Sequence, residues 1–135
     1  YIPLLKYEYI SLSTGKCTYL KLKKVITKRE PNPYSDCVKV SSLNSKYFEE
    51  FERVGKSYQQ SVCLEMCYQD LIIKKCNCSN PEITQLSYSK PCEDTTGIQC
   101  IYMHSSSQNI SKCLPFCPLE CESIIYEVSS SLDIF

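Results

Sequence analysis

Eleven cysteines are the residues of this sequence with the most chemistry to offer. They stand at the following positions: Cys17, Cys37, Cys63, Cys67, Cys76, Cys78, Cys92, Cys100, Cys113, Cys117 and Cys121. Thiols at this density form disulfides, bind zinc or supply a catalytic nucleophile. In a chain of 135 residues, such a cysteine content is typical of a disulfide scaffold. Because cytosolic thiols are kept reduced, we expect an oxidising, extracellular compartment.

Zinc binding and catalysis both lack the residues that they need. Zinc sites are built from Cys-x-x-Cys pairs or a Cys/His quartet, whereas Cys76 and Cys78 are separated by one residue. His104 is the single histidine and lies beside a serine run, where we expect a solvent-exposed loop. A catalytic cysteine would need a positioned base of this kind. We therefore predict no catalytic residue, no metal site, no cofactor and no enzyme.

The spacing of the cysteines restricts how they can pair. One is left over, and the other ten allow about 945 pairings. Cys63 and Cys67 lie one helical turn apart, so their partners need a similar step, which Cys113 and Cys117 have. A nested arrangement is one solution for the rest, with these further rungs: Cys76 with Cys100, Cys78 with Cys92, and Cys37 with Cys121.

Two stretches of alternating polarity predict β-strands on either side of the cysteine-rich part. One runs from Cys17 to Val25 and the other from Ser123 to Ser129. Two strands alone are marginally stable in water. We therefore expect them to belong to a larger sheet whose other strands are absent from this sequence.

Two helices are predicted between the strands. Ser45 would cap a short helix over residues 46–54, and Ser57 would cap a longer one from Tyr58 to about Lys75. Residues 78–113 are rich in Ser, Thr, Asn, Pro and Gly and show little periodicity. We interpret that stretch as irregular loops held by disulfides.

Charge and hydropathy exclude nucleic acid as a partner and a membrane span within this sequence. Lys+Arg and Asp+Glu are equal at 15 each, so no net field would attract nucleic acid. No apolar run approaches the roughly 20 residues that span a bilayer. Because the chain opens on Tyr1, we expect a fragment, and any membrane role would have to come from sequence outside it. Of the sequons at Asn77 and Asn109, Asn109 in a polar loop is the glycosylation candidate.

Four short motifs resemble one family of membrane proteins. They are Pro33-Tyr34-Ser35-Asp36-Cys37, Cys63-Leu64-Glu65-Met66-Cys67, Cys76-Asn77-Cys78 and Cys117-Pro118-Leu119-Glu120-Cys121. Their residues and spacing are similar to the degenerin/epithelial sodium channel family, which includes the acid-sensing channels. The resemblance covers most of the chain, from Gly15 to Tyr126.

The resemblance implies an α+β fold. This would be a small disulfide-rich domain, with two helices and a nested disulfide ladder, flanked by two strands of an incomplete palm sheet. Residues 1–36 would form a palm strand and wrist loop, residues 37–121 the laddered thumb, and residues 122–135 the returning palm strand. The implied disulfides are Cys37 with Cys121, Cys63 with Cys117, Cys67 with Cys113, Cys76 with Cys100, and Cys78 with Cys92. Cys17 has no counterpart in the family pattern. It would be a buried free thiol or pair with a segment absent from this sequence, and we favour the buried thiol.

The resemblance also implies a function. The parent would be one subunit of a sodium-selective homo- or heterotrimer in the plasma membrane, with this piece on the extracellular side. In the family, the wrist loop contacts the first membrane helix, and Pro33 and Tyr34 are the matching residues here. Acid-sensing members carry carboxylates where this chain has Tyr102 and Ser106, so proton gating is not implied. The alternative is a self-contained secreted disulfide-rich binding module.

Overall fold

A two-stranded ribbon and a group of short helices make up the part of the chain that the computed structural model describes, residues 10–12, 14–39, 46–105 and 111–133. The elements in chain order are β1 (Cys17–Lys28), α1 (Phe48–Arg53), α2 (Gln60–Cys76), α3 (Thr95–His104), a 3₁₀ helix (Leu114–Phe116) and β2 (Glu122–Asp133). With its five disulfides, this architecture confirms the predicted small disulfide-rich α+β domain. None of the helices in these ranges has the length and apolar character to cross a bilayer.

The two predicted strands are present and pair with each other along their whole length. β1 and β2 run antiparallel, in a register that extends from Cys17 opposite Asp133 to Lys28 opposite Glu122. Both are longer than the alternating pattern indicated. Leu22 lies opposite Val128 in this register, and both side chains are exposed. The ribbon therefore presents apolar side chains to its surroundings.

The helices α1 and α2 lie close to the predicted positions, but their N-terminal caps differ. Ser45, the predicted cap of α1, lies outside the described residues. The prediction that Ser57 caps α2 is wrong, because the N-cap is Gln59 and it makes no side-chain capping bond. The first N–H of α2, that of Gln60, is instead satisfied by a distant carboxylate, Glu120.

The helix α3 corrects the prediction of irregular loops throughout residues 78–113. Asp94 caps it by accepting a hydrogen bond of 3.0 Å from the N–H of Gly97. Ile101 supplies its buried apolar contact. A glycine in the first turn weakens the helical signal of the sequence, and of the apolar residues in α3 only Ile101 is buried. The Asp94 cap and tertiary packing therefore stabilise this helix.

The core has two parts, which lie along α2. The larger is formed by Tyr47, Phe51, Tyr58, Cys63, Leu64, Met66, Cys67, Leu86, Cys113 and Cys117. The smaller, towards α3, is formed by Tyr68, Ile72, Ile83, Cys92 and Ile101. Half-cystines thus occupy positions that aliphatic side chains fill in larger domains, as expected where a short chain buries limited apolar area.

Candidate functional site

A ladder of disulfides runs along α2. Cys63 and Cys67 lie one turn apart and bridge to Cys117 and Cys113, with Cα–Cα distances of 5.6 and 5.8 Å. All four are buried. Since the earlier cysteine of α2 takes the later partner, the segment that carries the 3₁₀ helix runs antiparallel to α2. Two covalent links one turn apart prevent that segment from sliding along the helix.

The remaining rungs complete a nested series. Cys76 joins the end of α2 to Cys100 in α3, at a Cα–Cα distance of 5.8 Å. Cys78 joins Cys92 at 5.0 Å. Sequence separations fall from 84 for the outermost pair, through 54, 46 and 24, to 14 for the innermost. No two pairs cross. The five pairs are also those that the family resemblance implies.

Gly97 marks where α3 approaches the innermost rung most closely. A Cβ at this position would lie 2.7 Å from Asp94 Oδ1 and 3.0 Å from Cys78 Sγ. Because the neighbouring atoms are a helix cap and a disulfide, we expect Gly97→Ala to destabilise the domain by about 2 kcal/mol through overpacking. Thermal unfolding measures this, with the exposed Thr95→Ala as the control. An unchanged midpoint for Gly97→Ala would contradict the close approach.

Residues 117–121, here called the root segment, join the helices to the ribbon. On the helical side, the Tyr58 hydroxyl donates a 2.6 Å hydrogen bond to the Pro118 carbonyl. The Gln60 N–H donates to Glu120 Oε2 at 2.9 Å. Burial, and then the negative charge of Glu120, raise the pKa of Tyr58 to about 12, so its hydroxyl remains a donor. The start of α2 is thus attached to the root segment at two points.

On the other side, the root segment is attached to the ribbon and to the loop that follows β1. The Arg29 N–H donates to the Cys121 carbonyl at 2.7 Å. The Val38 N–H donates to the Leu119 carbonyl at 2.8 Å, and the Cys121 N–H donates to the Val38 carbonyl at 3.1 Å. The disulfide of Cys37 with Cys121 adds a covalent link, with a Cα–Cα distance of 4.9 Å. Helices, ribbon and loop therefore meet at the root segment.

The predicted wrist loop, here residues 30–36, projects an aromatic side chain into solvent. Tyr34 is 84% exposed. Its N–H donates to the Pro31 carbonyl at 3.1 Å, which closes a turn that includes Pro33. Cys37 ties the end of the loop to the root segment. A large apolar ring is therefore held at the tip of an anchored turn.

Asp70 of α2 is a buried carboxylate at the centre of a partly exposed polar cluster, which the sequence pattern did not predict. Its Oδ2 accepts hydrogen bonds from Lys46 Nζ at 2.6 Å and from Lys74 Nζ at 3.0 Å. Tyr88 donates to Oδ1 at 2.6 Å, and Tyr47 donates to Oδ2 at 3.4 Å. Burial raises the pKa of Asp70, but the hydrogen bonds from Lys46, Tyr88 and Lys74 outweigh it and hold the pKa at about 2.

Gln69, the neighbour of Asp70, attaches the loop after α2 to that helix. Its side chain is fully buried. Its amide nitrogen donates to the Asn80 carbonyl at 2.9 Å, and its amide oxygen accepts from the Asn80 N–H at 2.9 Å. Gln69 and Asp70 are two adjacent polar residues within an otherwise largely apolar stretch of α2. This was the available sequence signal for a polar cluster, because buried polar groups require hydrogen-bonding partners.

The ladder, root segment and wrist loop all lie within residues 1–134, which match the family model described as amiloride-sensitive sodium channel. The chain belongs to the amiloride-sensitive sodium channel family. This confirms the resemblance that the four motifs carried. It also places the chain in a family of ion channels.

Individual members of this sodium channel family are similar to most of the chain. Degenerin mec-10 of Caenorhabditis elegans is 28% identical over 127 residues, which are 90% of this chain and 17% of that protein. Degenerin-like protein asic-1 of the same species is 31% identical over 116 residues, 83% of this chain and 13% of that protein. Epithelial sodium channel subunit beta of Aquarana catesbeiana is 24% identical over 134 residues, which are 96% of this chain and 49% of that protein. The chain thus spans less than half the length of these relatives.

The eleventh cysteine of this channel-family chain, Cys17, is not buried as predicted. Cys17 is a free thiol and is exposed, whereas a buried thiol was predicted. It begins β1 at the end of the ribbon opposite Asp133. Among the described residues, no second layer packs against this end of the ribbon, and the Cys17 side chain is therefore exposed.

The two sequons and the residues that could ligate a metal lie as follows in the structure. Asn109, the glycosylation candidate, lies outside the described residues. In the other sequon, Asn77 is exposed at the end of α2, whereas Ser79 is fully buried and its hydroxyl donates to Gln85 Oε1 at 2.6 Å. In the part of the chain that the structure describes, no three of the metal-ligating residue types His, Cys, Asp and Glu lie close enough together to hold a metal ion.

Proposed function

We propose that this chain is the extracellular arm of one subunit in a sodium-selective homo- or heterotrimeric channel of the plasma membrane, and that the arm transmits an extracellular stimulus to the pore. Membership in the amiloride-sensitive sodium channel family supports sodium conduction by the parent. The observation that carries the mechanical part is that the helices and the wrist loop attach to one root segment.

A stiff arm is what such a mechanism needs. The rungs from Cys63 to Cys117 and from Cys67 to Cys113 fix α2 against its neighbouring segment, and Cys76 with Cys100 fixes α3 against α2. Each cross-link removes relative motion between two parts of the backbone. A displacement at one end of the arm therefore moves the other end as a body, as in hinge transitions of other proteins.

The root segment provides the path from the arm to the wrist loop. Cys121 is bonded to Cys37 through sulfur and to Val38 through a backbone hydrogen bond. Movement of the root segment therefore shifts the end of the wrist loop directly. Tyr34, 84% exposed at the tip of that loop, is available for contact with the first membrane helix of the parent.

Tyr34→Ala in the full-length subunit tests this proposal. Loss of the ring should remove about 1 kcal/mol of coupling, which changes the gating equilibrium roughly fivefold. We expect the sodium current per surface channel to change by about that factor, with surface delivery unaltered because the ring is exposed. Surface biotinylation and whole-cell recording of the same cells measure the two quantities.

Tyr102→Ala is the matched control, since Tyr102 is 74% exposed on α3, far in sequence from the wrist loop. The current per surface channel should be unchanged in this variant. Equal currents for the wild type and Tyr34→Ala would refute coupling through the wrist loop.

A further inference from the structure

The N-terminus of α2 is completed by a residue that lies far away in the sequence. Gln59, the N-cap, makes no side-chain capping bond. Instead the Gln60 N–H donates to Glu120 Oε2 at 2.9 Å, across 60 residues of sequence. The Glu120 side chain is buried, with 8% of the residue exposed. A carboxylate at this position makes a charge-assisted hydrogen bond and interacts favourably with the helix dipole.

The backbone of Glu120 faces the opposite way, toward the ribbon and the wrist loop. Its carbonyl accepts a hydrogen bond from Arg29 Nη1 at 3.3 Å, just beyond the end of β1. Glu120 also forms a parallel β-bridge with Val38, just after the wrist loop. One residue therefore contacts the first residue of α2, the end of β1 and the chain after the wrist loop.

The disulfides near this position leave one motion unrestrained. The pairs Cys63 with Cys117 and Cys37 with Cys121 tether the two ends of the root segment. Two tethers still permit rotation about the line that joins them. On the helical side, two hydrogen bonds off the side of the root segment restrain this rotation: the bond from Tyr58 to the Pro118 carbonyl and the bond from the Gln60 N–H to the Glu120 carboxylate.

We infer that Glu120 is a positioning residue that fixes the angle between α2 and the ribbon and so sets how movement of the arm reaches the pore. This inference rests on the proposed function. It adds a second route between arm and pore, which runs through the side chain of Glu120 instead of the wrist loop.

Substitutions at Gln60 can remove the hydrogen bond without touching Glu120. Gln60 is the first residue of α2, where proline is tolerated because its missing N–H is not needed within the helix. Gln59 is extended, with φ −139° and ψ 134°, which is the conformation required before a proline. Gln60→Pro therefore deletes the donor to Glu120, whereas Gln60→Ala keeps it. Both lose the side-chain hydrogen bond from Gln60 Nε2 to the Cys117 carbonyl.

The first measurement is amide hydrogen exchange on the purified full-length subunit. We expect the peptide that covers the first turn of α2 to exchange roughly tenfold faster in Glu120→Ala, the effect of losing a strong helix cap. Glu120→Gln retains an acceptor oxygen and should restore most of the protection. Glu93→Ala, at an exposed glutamate, is the control and should behave as the wild type.

The second measurement is sodium current per surface channel, recorded at rest, at acid pH and under membrane stretch. Glu120→Ala relative to the wild type, and Gln60→Pro relative to Gln60→Ala, should change the current by the same factor and in the same direction, because each comparison removes only the bond from the Gln60 N–H to Glu120. Adding Glu120→Ala to Gln60→Pro should cause no further change, because the bond that Glu120→Ala deletes is already absent in Gln60→Pro. Gln60→Ala should have a smaller effect than Gln60→Pro.

Additive effects of Glu120→Ala and Gln60→Pro, or exchange at α2 that Glu120→Ala leaves unchanged, would overturn the inference. Currents altered by Tyr34→Ala but not by Glu120→Ala would also overturn it, with the proposed function intact. Currents unaffected by either substitution, despite faster exchange at α2, would overturn the proposed function and the role of Glu120 in coupling with it.

Discussion

Replacing Cys63 and Cys117 together by alanine is expected to lower the free energy of unfolding by about 4 kcal/mol. The pair closes a loop with a sequence separation of 54, and the chain-entropy model assigns roughly 3 kcal/mol to a 15-residue loop and roughly 4.7 to a 100-residue loop. Total stabilities of domains are about 5 to 15 kcal/mol. Much of the stability of the folded arm would therefore be lost. Denaturant unfolding of the purified protein measures the change.

The shorter rung provides the comparison for this prediction. Cys78 and Cys92 are separated by 14 residues, so the same double replacement should cost about 3 kcal/mol. Cys92 is buried, whereas Cys63 and Cys117 have no exposed surface at all, and this difference in packing acts in the same direction. A loss for the short rung that equals or exceeds the loss for the long rung would contradict the ranking.

In cells, the double replacement of Cys63 and Cys117 should appear as a failure of delivery. Marginal stability translates into protein that is retained and degraded before it reaches the surface. We expect surface biotinylation of the full-length subunit to fall several-fold. Tyr34→Ala, which removes no buried contact, should leave surface delivery unchanged, so the two variants separate folding from gating.

Features with a local signature could be predicted from the sequence. The alternating side chains of β1 and β2 indicated both strands. The one-turn step between Cys63 and Cys67 matched the step between Cys113 and Cys117, which is the geometry of the structure. In each case the determining residues are close together in the chain, so spacing alone carries the information.

The root segment could not be predicted in the same way. Ser57 is a plausible cap for α2 by local rules, yet the cap is provided by Glu120, which is brought there by disulfides and chain folding. Cys17 begins a strand whose pattern does not reveal whether another layer covers it. Contacts between residues that are distant in sequence depend on the assembled fold, and a periodic pattern does not encode them.

Asp70 lies between these cases, because its sequence context carried a usable signal. A charged residue within a run of buried positions of α2 must find partners. The partners themselves, Lys46 before α1 and Tyr88 after α2, come from separate segments that only the fold brings together. That Asp70 has polar partners was therefore predictable, but the identity of those partners was not.

Asp70→Asn is expected to destabilise the arm by about 2 kcal/mol at neutral pH. The amide cannot compensate the charges of Lys46 and Lys74, and it weakens the acceptor for Tyr88. Loss of one partner from a fully buried ion pair costs roughly 3 to 5 kcal/mol, but both lysines are about half exposed, which reduces the penalty. Asp36→Asn, the same change at an exposed position, should leave the unfolding midpoint unaltered.

The pH dependence of the stability shows whether Asp70 stabilises the arm through its negative charge or only through the shape of its side chain. The pKa of Asp70 is lowered from 3.8 to about 2 in the folded chain. The unfolded state therefore binds a proton at a higher pH than the folded state, so the contribution of Asp70 to stability is complete above about pH 5 and is lost progressively as the pH falls toward about 2. The stability difference between the wild type and Asp70→Asn should accordingly be constant from neutral pH to about pH 5 and shrink at lower pH. Such a profile would mean that Asp70 stays ionised under mild extracellular acidification and serves to hold the arm together. A difference that already shrinks above pH 5 would instead place the titration of Asp70 within the range of an acid stimulus.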